Sequence, residues 1–310
     1  MEIVSLSTLR PLGWGRPSVT VGNFDGVHRG HQALVSAVLE EARLSGDKAA
    51  VLTFEPHPSR VLSPDRAPTA LMTPSQKAET LASLGVERLA VLPFTEELAR
   101  EGAEEFARTV LKEALGARIV VVGENFRFGR GRGGDVDALR RLGEGLSFGV
   151  RSVGAVLNEG APISSTRIRV ALNRGSVEAA AQMLGRPFLV DGIVVKGAGR
   201  GRQIGIPTAN LDCRNETLPG AGVYACRVTR EGKGEALAVV NVGRRPTFGG
   251  DTTIVEAHLL DFDGDLYGSL IRVFFVTRLR AERPFPGAAA LVSQIREDIV
   301  EARRVLESSS

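Results

Sequence analysis

The sequence predicts two domains of different architecture. The first is an α/β domain on a doubly wound parallel sheet; the second is an antiparallel β-barrel or sandwich with a terminal helix. Three observations predict this. In the first half of the 310 residues, short apolar runs alternate with helical periodicity. After residue 188, strand-like runs follow one another with only Gly, Pro and Asp turns between them. The stretch 287–307 repeats apolar side chains at helical spacing. Parallel strands joined by helices are covered on both faces and read as continuous apolar runs, whereas antiparallel strands need only turns between them.

PSVTVG (17–22) reads as a buried strand. HQALVSAVLEEARLSG follows as a helix whose apolar stripe is Leu34, Ala37, Val38, Ala42 and Leu44. AAVLTF (49–54) and RLAVLPF (88–94) are the next strands, separated by the helical TPSQKAETLASLG with Thr73 as its N-cap. GAEEFARTVLKEALG is a further helix and RIVVVG (118–123) a strand without a polar face. Helical patterns at 164–173 and 176–185 close this half.

From FLVDGIVVKG (188–197) onward the pieces are strand-like: GVYACRVTREGKGEALAVVNVG with a hairpin turn at EGKG, then TTIVEAHLLDFDGDLYG and SLIRVFFVTRLR. The last helix carries Leu291, Ile295, Ile299 and Leu306 along one face and is expected to cover the barrel. The change of texture puts the domain border near 186, giving domains 1–185 and 186–310.

Lysine and arginine number 39 against 36 aspartate and glutamate, a formal charge of +3. So small an excess gives no electrostatic footprint for nucleic acid or membrane, and neither is an expected partner. No apolar run approaches the roughly 18 residues of a membrane span, and the N-terminus lacks the order of a secretory signal. The cysteines, Cys213 and Cys226, form no C-x-x-C pair, so neither a disulfide framework nor a zinc ribbon is supported. A soluble cytoplasmic protein is expected.

GNFDGVHRGH (22–31) follows the first buried strand and opens a helix. Ligands of α/β folds bind at the carboxyl ends of the strands, where Gly22 admits close approach and a helix start offers free N–H groups to an anion. His28 and His31 share a face at i and i+3. The spacing alone leaves a metal site (with Asp25), an acid–base pair and a phosphate cradle open; the glycine context favours the last. ISSTRIR (163–169) adds three hydroxyls and two arginines at a helix start. GENFRFGRGRGGD (123–135) contains a G-x-G-x-x-G at Gly129, Gly131 and Gly134, but it follows ENFRF rather than a strand and is read as a ligand loop. TFEPHP (53–58) supplies Phe54 and two prolines as a stiff wall.

In the second half, VVKGAGRGRQIGIPTANLD (194–212) is glycine-rich without being a Walker A sequence. Thr208 and Asn210 share a face of an extended segment, and their oxygens are hard ligands suited to Mg²⁺. In IVEAHLL, Glu256 alternates onto one face with Ile254 and His258, where a carboxylate can take a proton from an attacking hydroxyl.

GNFDGVHRGH, TFEPHP, GENFRFGRGRGG and ISSTRIR, in this order, resemble the adenylyltransferase module of the bacterial bifunctional riboflavin kinase/FMN adenylyltransferase (FAD synthetase) family. PGAGVYACRV, NVGRRPTFGG and IVEAHLLDFDGDLYG resemble its riboflavin kinase domain. The resemblance implies a Rossmann-like nucleotidyltransferase domain ahead of a small closed β-barrel. It implies that the barrel phosphorylates riboflavin to FMN with Mg²⁺–ATP and that the first domain adenylylates FMN to FAD, with riboflavin, FMN and ATP as the partners. Gly22, Asn23, Phe24, Asp25, His28 and His31 would then meet ATP, with the two histidines stabilising charge. Ser164, Thr166 and Arg169 would hold phosphates, and Phe54, Asn125 and Phe128 would line the flavin pocket. In the kinase, Gly197, Gly199, Arg202 and Pro207 would bind the nucleotide, Thr208 and Asn210 would hold Mg²⁺, and Glu256 would be the base. Ala198 and Ile206 stand where the resemblance implies bulkier or aromatic residues. Oligomeric state stays open.

Overall fold

The structure, a computed structural model, describes residues 1–197, 199, 201, 205–230, 233–247 and 250–308. Arg202 and Ala198 therefore lie outside the described residues, as do Glu231 and Gly232 of the expected hairpin turn. The chain divides into two compact units, Met1–Thr69 with Pro74–Ile163, and Ala70–Thr73 with Ser164–Ser310.

The first unit is built on six strands: β1 (Glu2–Ser5), β2 (Ser18–Val21), β3 (Ala49–Glu55), β4 (Arg88–Pro93), β5 (Ile119–Gly123) and β6 (Gly149–Val153). Their order is β1-β4-β3-β2-β5-β6, and every neighbouring pair is parallel. Alternate residues of the central strands serve opposite faces. Val120 and Val122 pack with Phe106, Val110, Leu111 and Leu139, while Val121 packs with Ala37, Val38 and Ala42 of helix α1 (Arg29–Ser45). Both faces are thus covered, as the apolar runs predict. The chain leaves β2 toward β3 on one side and later returns to pair β5 on its other side. That reversal is a topological switch point at the carboxyl ends of β2 and β5, by Gly22 and Gly123, where folds of this kind bind ligands.

Three details depart from the sequence reading. Leu44 is 70% exposed, because it lies two residues, or about 200°, around the helix from the buried Ala42. The stripe runs through Val35 instead. The edge strands β1 and β6 and the small hairpin β7 (Leu157–Asn158)/β8 (Ala161–Pro162) carry no apolar run, since their side chains are largely half-buried or exposed.

In the second unit, helices Ser165–Asn173 and Val177–Leu184 precede six strands. These are β9 (Phe188–Val195), β10 (Ala209–Cys213), β11 (Gly222–Arg230), β12 (Lys233–Thr247), β13 (Gly250–Leu259) and β14 (Leu270–Arg280). They close as β10-β13-β12-β11-β14-β9 with antiparallel pairing throughout, a barrel rather than a sandwich. Closure leaves no open sheet edge. The two helices pack with the barrel because Arg278 of β14 donates to the Glu178 carboxylate from its backbone (2.8 Å) and to the Arg174 carbonyl from its guanidinium (3.2 Å).

The C-terminal helix, Ala288–Glu307, buries Ala302 and Leu306 against Val223, Ala225, Val239 and Leu260 of the barrel. Leu306→Ala is expected to destabilise the barrel unit by about 2–5 kcal/mol through the cavity it leaves. Denaturant titration followed by far-ultraviolet circular dichroism measures this, while fluorescence of Trp14, in the first unit, should keep its midpoint.

Candidate active sites

The first site forms in the turn that leaves β2. Phe24 (φ 50°) and Val27 (φ 38°) adopt the left-handed region, as does Gly26. A bulky and a β-branched residue reach that region only where packing enforces it, and both side chains are fully buried. The turn sets His28 as the N-cap of α1, its Nδ1 accepting from the His31 backbone N–H at 3.3 Å. Neutral His28 therefore carries its proton on Nε2. The two imidazoles stack with centroids 3.7 Å apart and planes inclined by 15°. Gly30 is a tight position, since a Cβ there would lie 3.1 Å from the His28 ring. Phe24 backs His31 at 5.1 Å, and the ring of Phe24 lies where a Gly22 Cβ would meet it.

Burial holds His31 well below the usual histidine range, with the neighbouring charges of His28 and Lys77 adding to the effect. His31 is thus a neutral hydrogen-bonding group at physiological pH. By nuclear magnetic resonance its ring shift should keep the neutral value as pH falls through about 6.5, where an ordinary histidine gains its proton. Between the lowered folded value and about 6.5 the unfolded chain binds the extra proton, so stability falls as pH drops through that window.

Asn23 is anchored at both ends: its carbonyl accepts from the Thr53 hydroxyl at 3.1 Å, and its amide lies 3.2 Å from His57 Nε2. His57 is itself the N-cap of helix α2 (Pro58–Leu62), a structural duty. Beyond β3 and β4 stands an aromatic cluster. Phe54 meets Phe94 edge-on at 5.9 Å and Phe106 at 6.4 Å, Phe106 meets Phe128 at 6.0 Å, and Phe128 stacks on Phe126 at 5.4 Å. Asn125, just before Phe126 in sequence, is exposed. Ser164 caps helix Ser165–Asn173 in the second unit, its hydroxyl accepting from Arg167 N–H at 3.3 Å. Thr166 and Arg169 follow in its first turns, Thr166 exposed and Arg169 half-buried.

The second site is a cleft of about 490 Å³ in the second unit. Strand register builds it. Asn210 of β10 lies opposite Glu256 of β13, and Glu256 lies opposite Asn241 of β12. Directly opposed residues share a face, so an amide, a carboxylate and an amide stand in one row. All three line the cleft with Thr208, Ile254 and His258, while Val255 and Ala257 are buried. Asn241 was not singled out from sequence; only the pairing of β12 with β13 places it beside Glu256. His258 is held by the Pro207 carbonyl at 2.7 Å from Nδ1. Leu291 and Ile295 of the C-terminal helix wall the far side, where Asp298 accepts three hydrogen bonds from Arg280 at 2.8–3.1 Å. Gly199 and Gly201 form the glycine-rich rim. At Gly197, a Cβ would lie 2.1 Å from Asn210 Nδ2. Gly197→Ala should therefore displace Asn210 and slow the reaction of this cleft at least about tenfold, leaving the first site untouched. Separate rate assays on each half-reaction check this.

A FAD synthetase family model matches residues 14–167, and a riboflavin kinase family model matches residues 184–306. The bifunctional riboflavin kinase/FMN adenylyltransferase of Pseudomonas fluorescens is 39% identical over 312 aligned residues, covering 100% of this chain and 99% of that one. The chain belongs to the bifunctional riboflavin kinase/FMN adenylyltransferase family. Members from Escherichia coli strain K12 (39% identical) and Bacillus subtilis (37% identical) each match over 92% of this chain and 91% of their own. A crystal structure described as a macrolide-efflux protein from Streptococcus pneumoniae superposes with a TM-score of 0.90 at 33% identity, covering 98% of this chain and 99% of that one.

This family member accordingly carries an N-terminal FAD synthetase domain and a C-terminal flavokinase domain, and makes FMN from riboflavin and FAD from FMN. In the FAD synthetase domain, Gly22, Asn23, Phe24, Asp25, His28 and His31 fall on the turn after β2 and the start of α1, and Phe54 and Phe128 in one aromatic cluster. In the flavokinase domain, Gly199, Thr208, Asn210 and Glu256 line one cleft. Gly197 packs on Asn210, and Pro207 lines a smaller neighbouring pocket that Thr208 also reaches. Ile206, 7% exposed, lines the main cleft.

Proposed function

We propose that riboflavin phosphorylation takes place in the cleft of the barrel, within domain 186–310. The observation that carries this is the placing of Glu256 between two amides in a cleft with one apolar wall. Glu256 takes the proton of the ribityl 5′-hydroxyl as its oxygen attacks the γ-phosphorus of ATP, and ADP leaves. Thr208 and Asn210 are hard oxygen donors beside that carboxylate and fit Mg²⁺ arriving with ATP; among the described residues no group of three His, Cys, Asp or Glu stands ready to hold a metal alone. When bound, Mg²⁺ neutralises charge on the phosphates. Gly197, Gly199, Arg202 and Pro207 are assigned to the nucleotide. Asn210→Ala should raise the Mg²⁺ needed for half-maximal FMN formation by about tenfold or more without altering FAD formation. An unchanged Mg²⁺ requirement would remove Asn210 from this role.

FMN adenylylation is assigned to the turn after β2, in domain 1–185. An FMN phosphate oxygen attacks the α-phosphorus of ATP, the bond to the β-phosphate oxygen breaks, and pyrophosphate leaves. The nucleophile is already anionic, so the site needs alignment and charge neutralisation instead of a base. His28 and His31 answer this as hydrogen-bond donors at the start of α1. Ser164, Thr166 and Arg169 are assigned to the ATP phosphates on their hydroxyl and guanidinium chemistry, and Phe54, Asn125 and Phe128 to the flavin. No described helix is long and apolar enough to cross a membrane, and the cytoplasm, where ATP is made, is the compartment that suits both reactions.

A further inference from the structure

Resting on the assignment of adenylyl transfer to the turn after β2, we infer that Lys77 is a further substrate-binding residue of that reaction, holding phosphate oxygens with its ammonium group. Lys77 lies on helix α3 (Pro74–Ser83) and is 9% exposed. Among the described residues its one hydrogen bond is long, 3.4 Å from Nζ to the Thr53 hydroxyl. That hydroxyl donates its own proton to the Asn23 carbonyl, so it faces the lysine as an acceptor. The chain of contacts thus runs from Nζ directly into the GNFDG turn. An ammonium has three protons to place, and a cation buried with one weak acceptor costs stability unless an anion completes it.

The charges around it point the same way. Burial lowers the Lys77 ammonium from the usual lysine range, and the nearby charges of Glu55 and Asp25 oppose that shift. Lys77 in turn is one of the charges that keep His31 neutral. Neutral His31 can donate a hydrogen bond but supplies no net positive charge. Lys77 is a cation within electrostatic reach of both His31 and Asp25. Reaction at an anionic α-phosphate by an anionic nucleophile needs such a charge, and an enclosed one acts more strongly than one in water.

The test replaces Lys77 by Met, Gln and Arg in the full chain and measures both half-reactions. FMN formation from riboflavin, a reaction of the barrel, serves as the internal control of enzyme concentration, and Trp14 fluorescence reports the fold of the first unit. Lys77→Met and Lys77→Gln are expected to lower FAD formation from FMN by about 10²-fold, while Lys77→Arg keeps more activity than either. Inhibition by inorganic pyrophosphate and the KM for FMN separate the two sources of phosphate. Weaker pyrophosphate inhibition places Nζ on the ATP polyphosphate, and a raised KM for FMN places it on the flavin phosphate. Thermal unfolding gives the readout a structural role would move. Removing a poorly satisfied buried charge should leave the midpoint unchanged or raised, whereas a structural lysine would lower it. Wild-type FAD formation in Lys77→Met, or losses of activity and midpoint in parallel across Met, Gln and Arg, overturns the inference. FAD formation surviving in both Lys77→Met and the double variant His28→Ala/His31→Ala would instead overturn the placement of the site on which it rests.

Discussion

Glu256→Gln should stop FMN formation while FAD continues to be made from added FMN at close to the wild-type rate. The substitution keeps size and hydrogen bonding but removes the proton acceptor, and loss of a general base costs about 10²–10⁴-fold. The register makes the effect specific. Glu256 is fixed between Asn210 and Asn241 by pairing on both sides of β13, so Gln fits the same row without displacing either amide. The FAD synthetase domain has its own core, in which β13 takes no part. The measurement is the initial rate of each half-reaction on one preparation, with circular dichroism confirming the fold. Equal losses in both half-reactions would refute the separation of sites.

The double variant His28→Ala/His31→Ala should show the reverse, making FMN normally and accumulating it. Each donor aimed at developing charge contributes about 10²–10³-fold. The two rings are stacked and His28 Nδ1 binds the His31 backbone, so they act as one unit and the double loss will be smaller than the product of the singles. Removing His28 also takes away the N-cap of α1, which costs about 1 kcal/mol and leaves the domain folded. Accumulated FMN, separated by chromatography, is the signal.

Much of this was legible before any coordinates. Runs such as PSVTVG and RIVVVG are central parallel strands because burial on both faces leaves no polar position. Glu256 was legible because strand alternation alone sets its face. Residues defined by tertiary packing were not. Lys77 in SQKAETL belongs to no motif, yet it stands at i−4 and i−7 from Leu81 and Leu84, on the apolar side of its own helix. That spacing was the available signal. Asn241 gave none, since nothing in NVGRRP says which residue of β13 it will oppose. Edge strands β1 and β6 were silent for the opposite reason: partial exposure frees their side chains from any pattern. Leu44 misled because an apolar residue close in sequence to a helical stripe need not lie on it.

The division of labour between the two sites is tested most directly by one time course. Riboflavin and Mg²⁺–ATP are mixed with the wild-type chain and, in parallel, with His28→Ala/His31→Ala, and the flavins are separated at intervals. In the wild type, FMN should rise at once and FAD after a lag; in the variant, FMN should rise at the same initial rate and remain. FAD appearing from riboflavin without a lag and without FMN, or a fall in the variant's initial FMN rate matching its loss of FAD, would contradict the account.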